Sequence, residues 1–106
     1  MRYVIDIDGT IFHTSGEDYN HVTPISGRIE QINKLYDEGH HIAYFTARGM
    51  GRFDNDAKKA HSRFYYHTKC QLREYGCKFH DLIMGKPAAD IYIDDKGMHS
   101  DEFFTD

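Results

Sequence analysis

The stretch YVIDIDGT at residues 3–10 places two acids in an otherwise apolar, strand-like run. Asp6 and Asp8 are two residues apart, and side chains at that spacing on a strand point to the same side. Because a carboxylate is costly to bury without a partner, the pair indicates a function that needs both acids. One carboxylate could hold a metal and attack an electrophile, while its neighbour gives and takes a proton.

Residues that could take part in the same chemistry follow the other apolar runs. Strands are predicted at residues 3–7, 41–46, 81–84 and 91–93. At or just beyond the ends of the last three stand Thr46, Lys86, and the pair Asp94-Asp95. Because ligands bind beyond the carboxyl ends of parallel strands, we expect these side chains to converge with Asp6 and Asp8.

Amphipathic helices are predicted between the strands. The first begins at Thr23-Pro24, with threonine as the expected N-cap and proline in the first turn, and it ends at Gly39. The second covers residues 57–75, with Asp56 as its cap and Gly76 at its end. Strands that alternate with helices favour a parallel sheet with right-handed crossovers.

The predicted fold class is therefore α/β, a three-layer, Rossmann-like sandwich with a mostly parallel sheet and helices on both faces. The first strand is expected to be central and covered on both faces. A chain of 106 residues fits one domain, predicted over residues 1–106. Its hydrophobic content of 40% supports a packed core rather than a disordered chain.

The gathered carboxylates predict a bound cation. Two like charges about 4 Å apart repel by roughly 4 kcal/mol at an effective dielectric constant near 20. One lysine would compensate four carboxylates only in part, so a metal ion is expected among them. A site with oxygen ligands alone suits Mg²⁺, which keeps water positions open for an anionic substrate such as a phosphate.

Four motifs, in order, resemble those of the haloacid dehalogenase (HAD) superfamily. They are DIDGT at 6–10, Thr46 in TAR, Lys86 in GKP, and Asp94-Asp95. The segments GHHIAYFTARG and MGKPAADIYIDDK make the chain look similar to small capless HAD hydrolases of capsular or surface-polysaccharide synthesis. The resemblance implies a Mg²⁺-dependent phosphomonoester phosphatase.

Carried over residue by residue, the resemblance gives each motif position a role. Asp6 would be the nucleophile that forms an aspartyl-phosphate. Asp8 would protonate the leaving oxygen and then activate water to hydrolyse that intermediate. Thr46 and Lys86 would contact the transferring phosphoryl group, and Lys86 would also steady the Asp6 carboxylate.

The resemblance also implies a set of metal ligands. Asp94, supported by Asp95, would hold Mg²⁺ together with the Asp6 carboxylate and the backbone carbonyl of Asp8. Arg48 is a further candidate, for a second contact to the phosphate or to the rest of the substrate.

The chain departs from the family pattern because it has no room for a cap domain. Residues 12–22 are long enough for a loop or a small hairpin, and residues 47–80 for one loop and one helix. In capless relatives a neighbouring subunit closes the open site, or the substrate is a macromolecule. Asp101, Glu102 and Asp106 are expected to form a solvated tail.

Two further functions stay open beside a phosphatase for a small phosphorylated metabolite such as a sugar phosphate. A nucleotide or nucleic-acid 3′-phosphatase would use the open site and a basic group made of Arg48, Arg52, Lys58 and Lys59. A non-catalytic phospho-switch or scaffold would also gather aspartates, a threonine and a lysine around Mg²⁺. The acid pair before Gly-Thr favours the phosphatase, and a homo-oligomer is one way to close its site.

Composition sets the remaining bounds. The formal charge of −4 argues against a general nucleic-acid coat, so nucleic acid is the less favoured partner. No apolar run approaches the roughly 20 residues of a membrane span, and no membrane partner is expected. Cys70 and Cys77 match no zinc pattern. Because no signal-peptide pattern is present, the cytoplasm is the expected location.

Overall fold

This computed structural model describes residues 1–105, which contain five strands and three helices. In chain order they are β1 (Arg2–Ile5), β2 (Phe12–Ser15), β3 (Asp18–Pro24), α1 (Ser26–Asp37), β4 (His41–Thr46), α2 (Ala57–Glu74), β5 (Asp81–Met84) and α3 (Ser100–Phe103). Strands β1, β4 and β5 form a parallel sheet in the order β1-β4-β5, and β2 pairs with β3 in an antiparallel hairpin. The predicted α/β class, with a mostly parallel sheet and no cap domain, is confirmed.

Strand β4 is the centre of the sheet. Ile42, Ala43 and Tyr44 are all buried, and β1 and β5 pair along its two edges. By contrast, β1 pairs with β4 alone and is an edge strand among the described residues, with Val4 65% exposed. The prediction that the first strand is central and covered on both faces is therefore wrong.

The strand predicted at residues 91–93 is not formed. Ile91, Tyr92 and Ile93 lie in an irregular segment and are 76%, 52% and 96% exposed. A parallel strand needs a crossover of about a dozen residues or more, and only residues 85–90 separate this segment from β5. The alternation of apolar side chains was a valid local signal, but the connection is too short to bring the segment back to the sheet.

Helix α1 begins later than predicted. Thr23 and Pro24 belong to β3, where Pro24 lies opposite Phe12 in the hairpin. The N-cap is Ile25, which makes no side-chain capping bond but donates its own N–H to the Ile11 carbonyl at 2.8 Å. Thr23 and Pro24, whose residue types are typical of a helix start, thus pair with β2 in the hairpin instead.

Helix α2 matches its prediction closely. The Asp56 side chain accepts hydrogen bonds from the N–H groups of Lys58 and Lys59 at 3.1 and 3.2 Å. Gly76 follows the last turn with φ +75°, a conformation that glycine adopts without a Cβ clash. We expect the buried stripe of α2 at Ala57, Ala60, Phe64, Thr68, Leu72 and Tyr75 from their helical spacing. Ala60, Phe64, Thr68 and Leu72 are buried, whereas Ala57 is exposed and Tyr75 half-buried.

The C-terminal residues pack against the body of the protein. Asp101 and Glu102 are exposed, as a solvated tail requires, but both lie on α3. Phe104 directly after α3 is only 4% exposed and belongs to the main hydrophobic core. The predicted solvent exposure is therefore found for Asp101 and Glu102, although the segment is helical and is anchored through Phe104. Asp106 lies outside the described residues.

None of the helices in residues 1–105 combines the length and the apolar character that crossing a membrane requires.

Candidate active site

The two acids lie in a tight turn that follows β1. Ile7 between them is fully buried, and its carbonyl oxygen accepts the N–H of Thr10 at 3.0 Å. Gly9 has φ +82°, a left-handed conformation that costs other residues about 1–2 kcal/mol. The buried isoleucine fixes the turn to the core, so Asp6 and Asp8 are presented on a rigid segment.

Each Asp6 carboxylate oxygen has its own hydrogen-bond donor. The Thr10 hydroxyl donates to Oδ2 at 2.9 Å, and the Lys86 ammonium donates to Oδ1 at 3.3 Å. Lys86 is fixed in turn, because its backbone N–H donates to the Thr46 carbonyl at 3.1 Å at the end of β4. The side chains of Asp6 and Lys86 remain 32% and 22% exposed, so a ligand can approach this pair from solvent.

Asp8 is held by a different set of partners. Arg48 donates to both of its carboxylate oxygens, from Nε at 2.8 Å and from a terminal nitrogen at 2.9 Å. The Thr14 hydroxyl in β2 donates to Oδ1 at 2.6 Å. A two-pronged arginine–carboxylate pair of this kind is both strong and geometrically specific, so it sets the direction of the Asp8 carboxylate.

Arg48 is buried and its guanidinium is fully engaged by the protein. It is 1% exposed, its remaining terminal nitrogen donates to the Thr68 hydroxyl at 3.3 Å, and it lies 4.7 Å from the centre of the Tyr19 ring. The sequence suggested that Arg48 contacts a substrate directly, and that contact stays a prediction. What the contacts favour is a positioning role toward Asp8.

Thr46 lies beside this network at the end of β4. It is 1% exposed, and its hydroxyl oxygen accepts the backbone N–H of Arg48 at 3.1 Å. The prediction that the strand ends converge is thus met for four residues, which are Asp6, Asp8, Thr46 and Lys86.

The hairpin supplies site residues that sequence reasoning missed. Tyr19 in β3 covers Arg48, and its backbone carbonyl accepts a hydrogen bond from Gln71 of α2 at 2.7 Å. Burial raises the pKa of the Tyr19 hydroxyl, and the nearby Asp8 charge acts in the same direction. Thr68 could have been noticed, since a polar residue stands in an otherwise apolar stripe; for Thr14 and Tyr19 the sequence carries no comparable signal.

Asp94 and Asp95 are not brought into this cluster. Both are exposed in the segment after residues 91–93, and Asp94 accepts the Lys96 N–H at 2.9 Å. That backbone hydrogen bond is the main reason why the pKa of Asp94 is lowered, with a further contribution from Asp95. In the part of the chain that the structure describes, no three His, Cys, Asp or Glu side chains are grouped so as to hold a metal ion.

The charges at the site balance without a metal ion. Asp6 is paired with Lys86 and Asp8 with Arg48, so the two carboxylates face two protein cations. The electrostatic argument for Mg²⁺ rested on a single compensating lysine, and the buried arginine weakens it. The donors at the site are oxygens, as Mg²⁺ prefers, and this ion usually binds through one or two carboxylates while water and substrate oxygens complete its shell.

Comparison with known proteins gives one similar structure. No protein-family model and no curated protein matches the chain. A crystal structure of a structural-genomics target from Vibrio cholerae is similar, with a TM-score of 0.88 and 27% sequence identity. The likeness covers 96% of this chain and 85% of that chain, so it supports the α/β architecture over nearly the whole length.

Proposed function

We propose that this protein is a phosphomonoester phosphatase that acts through an aspartyl-phosphate on Asp6, with a small phosphorylated metabolite as substrate. The observation that carries the proposal is the difference between two acids only two residues apart. Asp6 is open to solvent and paired with a lysine, whereas Asp8 is locked by a buried arginine. Two carboxylates in unlike environments suit two unlike roles in one reaction.

In the first half-reaction an Asp6 oxygen attacks phosphorus. The bond from Asp6 to phosphorus forms while the bond from phosphorus to the leaving oxygen breaks. Asp8, which takes up a proton from solvent before this step, supplies the proton that the leaving oxygen takes. Lys86 offsets negative charge on the transferring phosphoryl group, which is how cationic side chains stabilise such transition states. Thr10 keeps the Asp6 carboxylate in a fixed orientation for the attack.

In the second half-reaction water hydrolyses the aspartyl-phosphate. Asp8, which has lost its proton, takes one from the attacking water, so inorganic phosphate leaves and both carboxyl groups return to their starting state. Arg48 and Thr14 hold the Asp8 side chain in one direction through both steps. The network around Asp8 therefore positions a proton carrier.

Mg²⁺ is proposed as the cofactor on the strength of the motif resemblance. Bound there, it would neutralise charge between the nucleophile and the phosphate. The Asp6 carboxylate and the Asp8 carbonyl are the donors already at the site, and Asp94 or Asp95 would have to move to complete the set. No step above depends on the ion.

The cytoplasm is the proposed location of the reaction. Cys70 and Cys77 are both free thiols, which is typical of proteins in a reducing compartment. A second subunit that covers the open site is part of the same proposal.

A phosphate-release screen tests the function. Sugar phosphates, nucleotides and 3′-phosphorylated oligonucleotides are compared with and without Mg²⁺, and multiple turnover of sugar phosphates is expected. Preferential cleavage of the oligonucleotides, with a rate that falls steeply as salt rises, would indicate the nucleic-acid 3′-phosphatase instead. Release of about one phosphate per protein would indicate a phospho-switch.

Replacing the nucleophile gives the sharpest prediction. Asp6→Asn should lower kcat at least ~1000-fold, because an amide does not form the acyl-phosphate. Circular dichroism and thermal unfolding should show that the fold remains. Glu30→Gln, which neutralises an exposed acid on α1, is the matched control and should keep the normal rate. Near-normal turnover by Asp6→Asn would show that Asp6 is not the nucleophile.

A further inference from the structure

A polar cleft lies between the hairpin and α2. Its volume is about 480 Å³. Tyr19 lines it and at the same time covers Arg48, which holds Asp8. The cleft is therefore separated from Asp8 by one aromatic ring and one guanidinium.

Two arginines of the cleft converge on one aromatic ring. The guanidinium carbons of Arg52 and Arg63 lie 5.2 and 4.8 Å from the centre of the Phe64 ring. Both arginines are exposed, and within residues 1–105 neither makes an ion pair. A guanidinium group is a fork-shaped donor that suits phosphate, so each of these arginines offers the cleft a group that can bind an anion.

The arginines are mounted on ordered parts of the chain. Arg63 lies on α2, and Arg52 lies in the turn between β4 and α2. Within that turn the Phe53 N–H donates to the Gly49 carbonyl at 3.0 Å, and Asn55 accepts the Ala88 N–H at 2.9 Å. The backbone that carries both guanidinium groups is thus held in place before any ligand arrives.

The two acids that line the cleft form no ion pair with these arginines. Asp18 is paired with His21 at 2.7 Å. Glu17 lies over Gly51, where a Cβ would be 3.2 Å from its Oε1 atom. Since neither acid bonds to Arg52 or Arg63, the guanidinium groups keep their capacity to bind an anion.

His67 provides a third polar group on the same wall. Its Nδ1 atom is buried and has no hydrogen-bond partner. Burial lowers the pKa of His67, and the charges of Arg48 and Arg63 lower it further. An anion bound beside Arg63 would change the environment of this ring.

The rings of the cleft argue against a nucleobase as the occupant. Phe64 is 5% exposed and is already contacted by both arginines, while Tyr19 packs against Phe64 and Arg48. Base binding depends on open aromatic faces, whereas Phe64 is buried and Tyr19 already contacts Arg48. The chemistry that remains is charge pairing with a compact anion.

We propose that this cleft binds a second phosphate group of the substrate, remote from the phosphoryl group that Asp6 attacks. The proposal rests on the phosphatase function and narrows its substrate class to molecules with two phosphates. Arg52 and Arg63 would bind the second phosphate, and the hairpin would form the wall opposite them.

Paired substrates test the proposal through specificity. Fructose 1,6-bisphosphate and fructose 6-phosphate differ only by one phosphate, and the wild-type protein should show a higher kcat/KM for the bisphosphate. Arg52→Gln or Arg63→Gln should lower the ratio of the two values about tenfold, since each removes one charged donor. Arg73→Gln removes an exposed charge from the same helix outside the cleft and should leave the ratio unchanged.

Direct binding makes failure of this inference distinguishable from failure of the phosphatase function. In the Asp6→Asn protein, fructose 1,6-bisphosphate should shift the NMR signals of the His67 ring saturably. Arg63→Gln in that background should weaken binding about tenfold, whereas Arg73→Gln should not. If no ester is hydrolysed but Arg63→Gln weakens binding and Arg73→Gln does not, the anion-binding cleft is supported and the proposed phosphatase function is wrong. If esters are hydrolysed with an unchanged ratio in Arg52→Gln and Arg63→Gln, the cleft proposal is overturned and the function stands.

Discussion

Arg48 connects the acid-bearing turn to the rest of the protein through one guanidinium. It bonds to Asp8 in the turn and to Thr68 on α2, and it packs under Tyr19 of the hairpin. A buried arginine is costly unless its donors are satisfied, and here all of its described contacts are with the protein. Movement of any of these three elements would therefore change the direction of the Asp8 carboxylate.

Removing the guanidinium should affect both stability and catalysis. Arg48→Met leaves Asp8 without its charged partner, and breaking a buried pair costs about 3–5 kcal/mol. Because the Asp8 side chain is 24% exposed, water stabilises part of its unpaired charge. The free energy of unfolding is therefore expected to fall by about 2–3 kcal/mol. Urea unfolding measures it, and steady-state kinetics should show a fall in kcat larger than any rise in KM.

A double-mutant comparison separates positioning from simple packing. Asp8→Asn combined with Arg48→Met should recover at least about 1 kcal/mol of the stability that Arg48→Met loses, because no charge is then left unpaired. Arg73→Met, which removes an exposed arginine, is the matched control and should stay within about 0.5 kcal/mol. Additive losses at Asp8 and Arg48 would contradict the pairing.

Some site residues could be predicted from the local sequence, whereas the burial of Arg48 could not. Asp6, Asp8, Thr46 and Lys86 could be found because each stands at the end of an apolar run, and parallel strands end at one edge. The burial of Arg48 could not be found, since Thr68 and Tyr19 reach it from elements distant in sequence. A stretch such as RGMGR shows no periodicity that would place its first arginine inside.

At the scale of elements, the junction between β4 and α2 depends on a close approach at Gly49. Its φ is +81°, and a Cβ added there would lie 2.7 Å from the Phe64 ring. Phe64 is held by Tyr19 on the hairpin, with ring centres 5.2 Å apart. The glycine thus allows the turn after β4 to pack directly against α2 beneath the proposed anion cleft.

Gly49→Ala should consequently destabilise the protein. A left-handed alanine costs about 1–2 kcal/mol, and overpacking against Phe64 adds about 1–3 kcal/mol, so a loss of about 2–5 kcal/mol is expected. Gly27→Ala is the control: Gly27 lies in α1 without positive φ, and nothing stands within 4 Å of the added Cβ. That change should stabilise by about 0.5–1 kcal/mol. Equal effects of the two changes in thermal unfolding would contradict the close approach.

The ends of helices and strands were predicted correctly where neighbouring residues determine them. They were predicted wrongly where pairing between strands determines them. The start of α2 depends on the Asp56 side chain and two adjacent N–H groups, so the sequence predicts it well. The start of α1 was misplaced because β3 extends through Thr23 and Pro24 to pair with β2. The segment 91–93 has the composition of a strand, yet no crossover is long enough to return it to the sheet.

At the scale of the whole molecule, one hydrophobic core links the sheet, both long helices and the C-terminal segment. Ile5 of β1, Ile32 of α1, Leu72 of α2 and Phe104 near the C-terminus all belong to it. The similar Vibrio cholerae structure follows 96% of the chain, so the architecture extends across this whole core. A core shared by every layer should unfold in a single step, and Cys77 provides a probe of that step because it is only 6% exposed.

The Cys77 thiol should make the stability of the fold sensitive to alkaline pH. Burial raises its pKa from the ordinary 9.0 to about 11. Above pH 9 the unfolded chain loses the thiol proton while the folded protein keeps it, so stability is full below pH 9 and falls as pH rises toward 11. The full shift corresponds to roughly 2–3 kcal/mol.

Urea unfolding at pH 8 to 11 measures the loss. Cys77→Ala should flatten the dependence of the free energy of unfolding on pH between pH 9 and 10. This range lies below the pH at which the buried Tyr44 also lowers stability. Cys70→Ala, which removes the exposed thiol, should leave the slope unchanged, and an equally steep slope in Cys77→Ala would contradict the assignment.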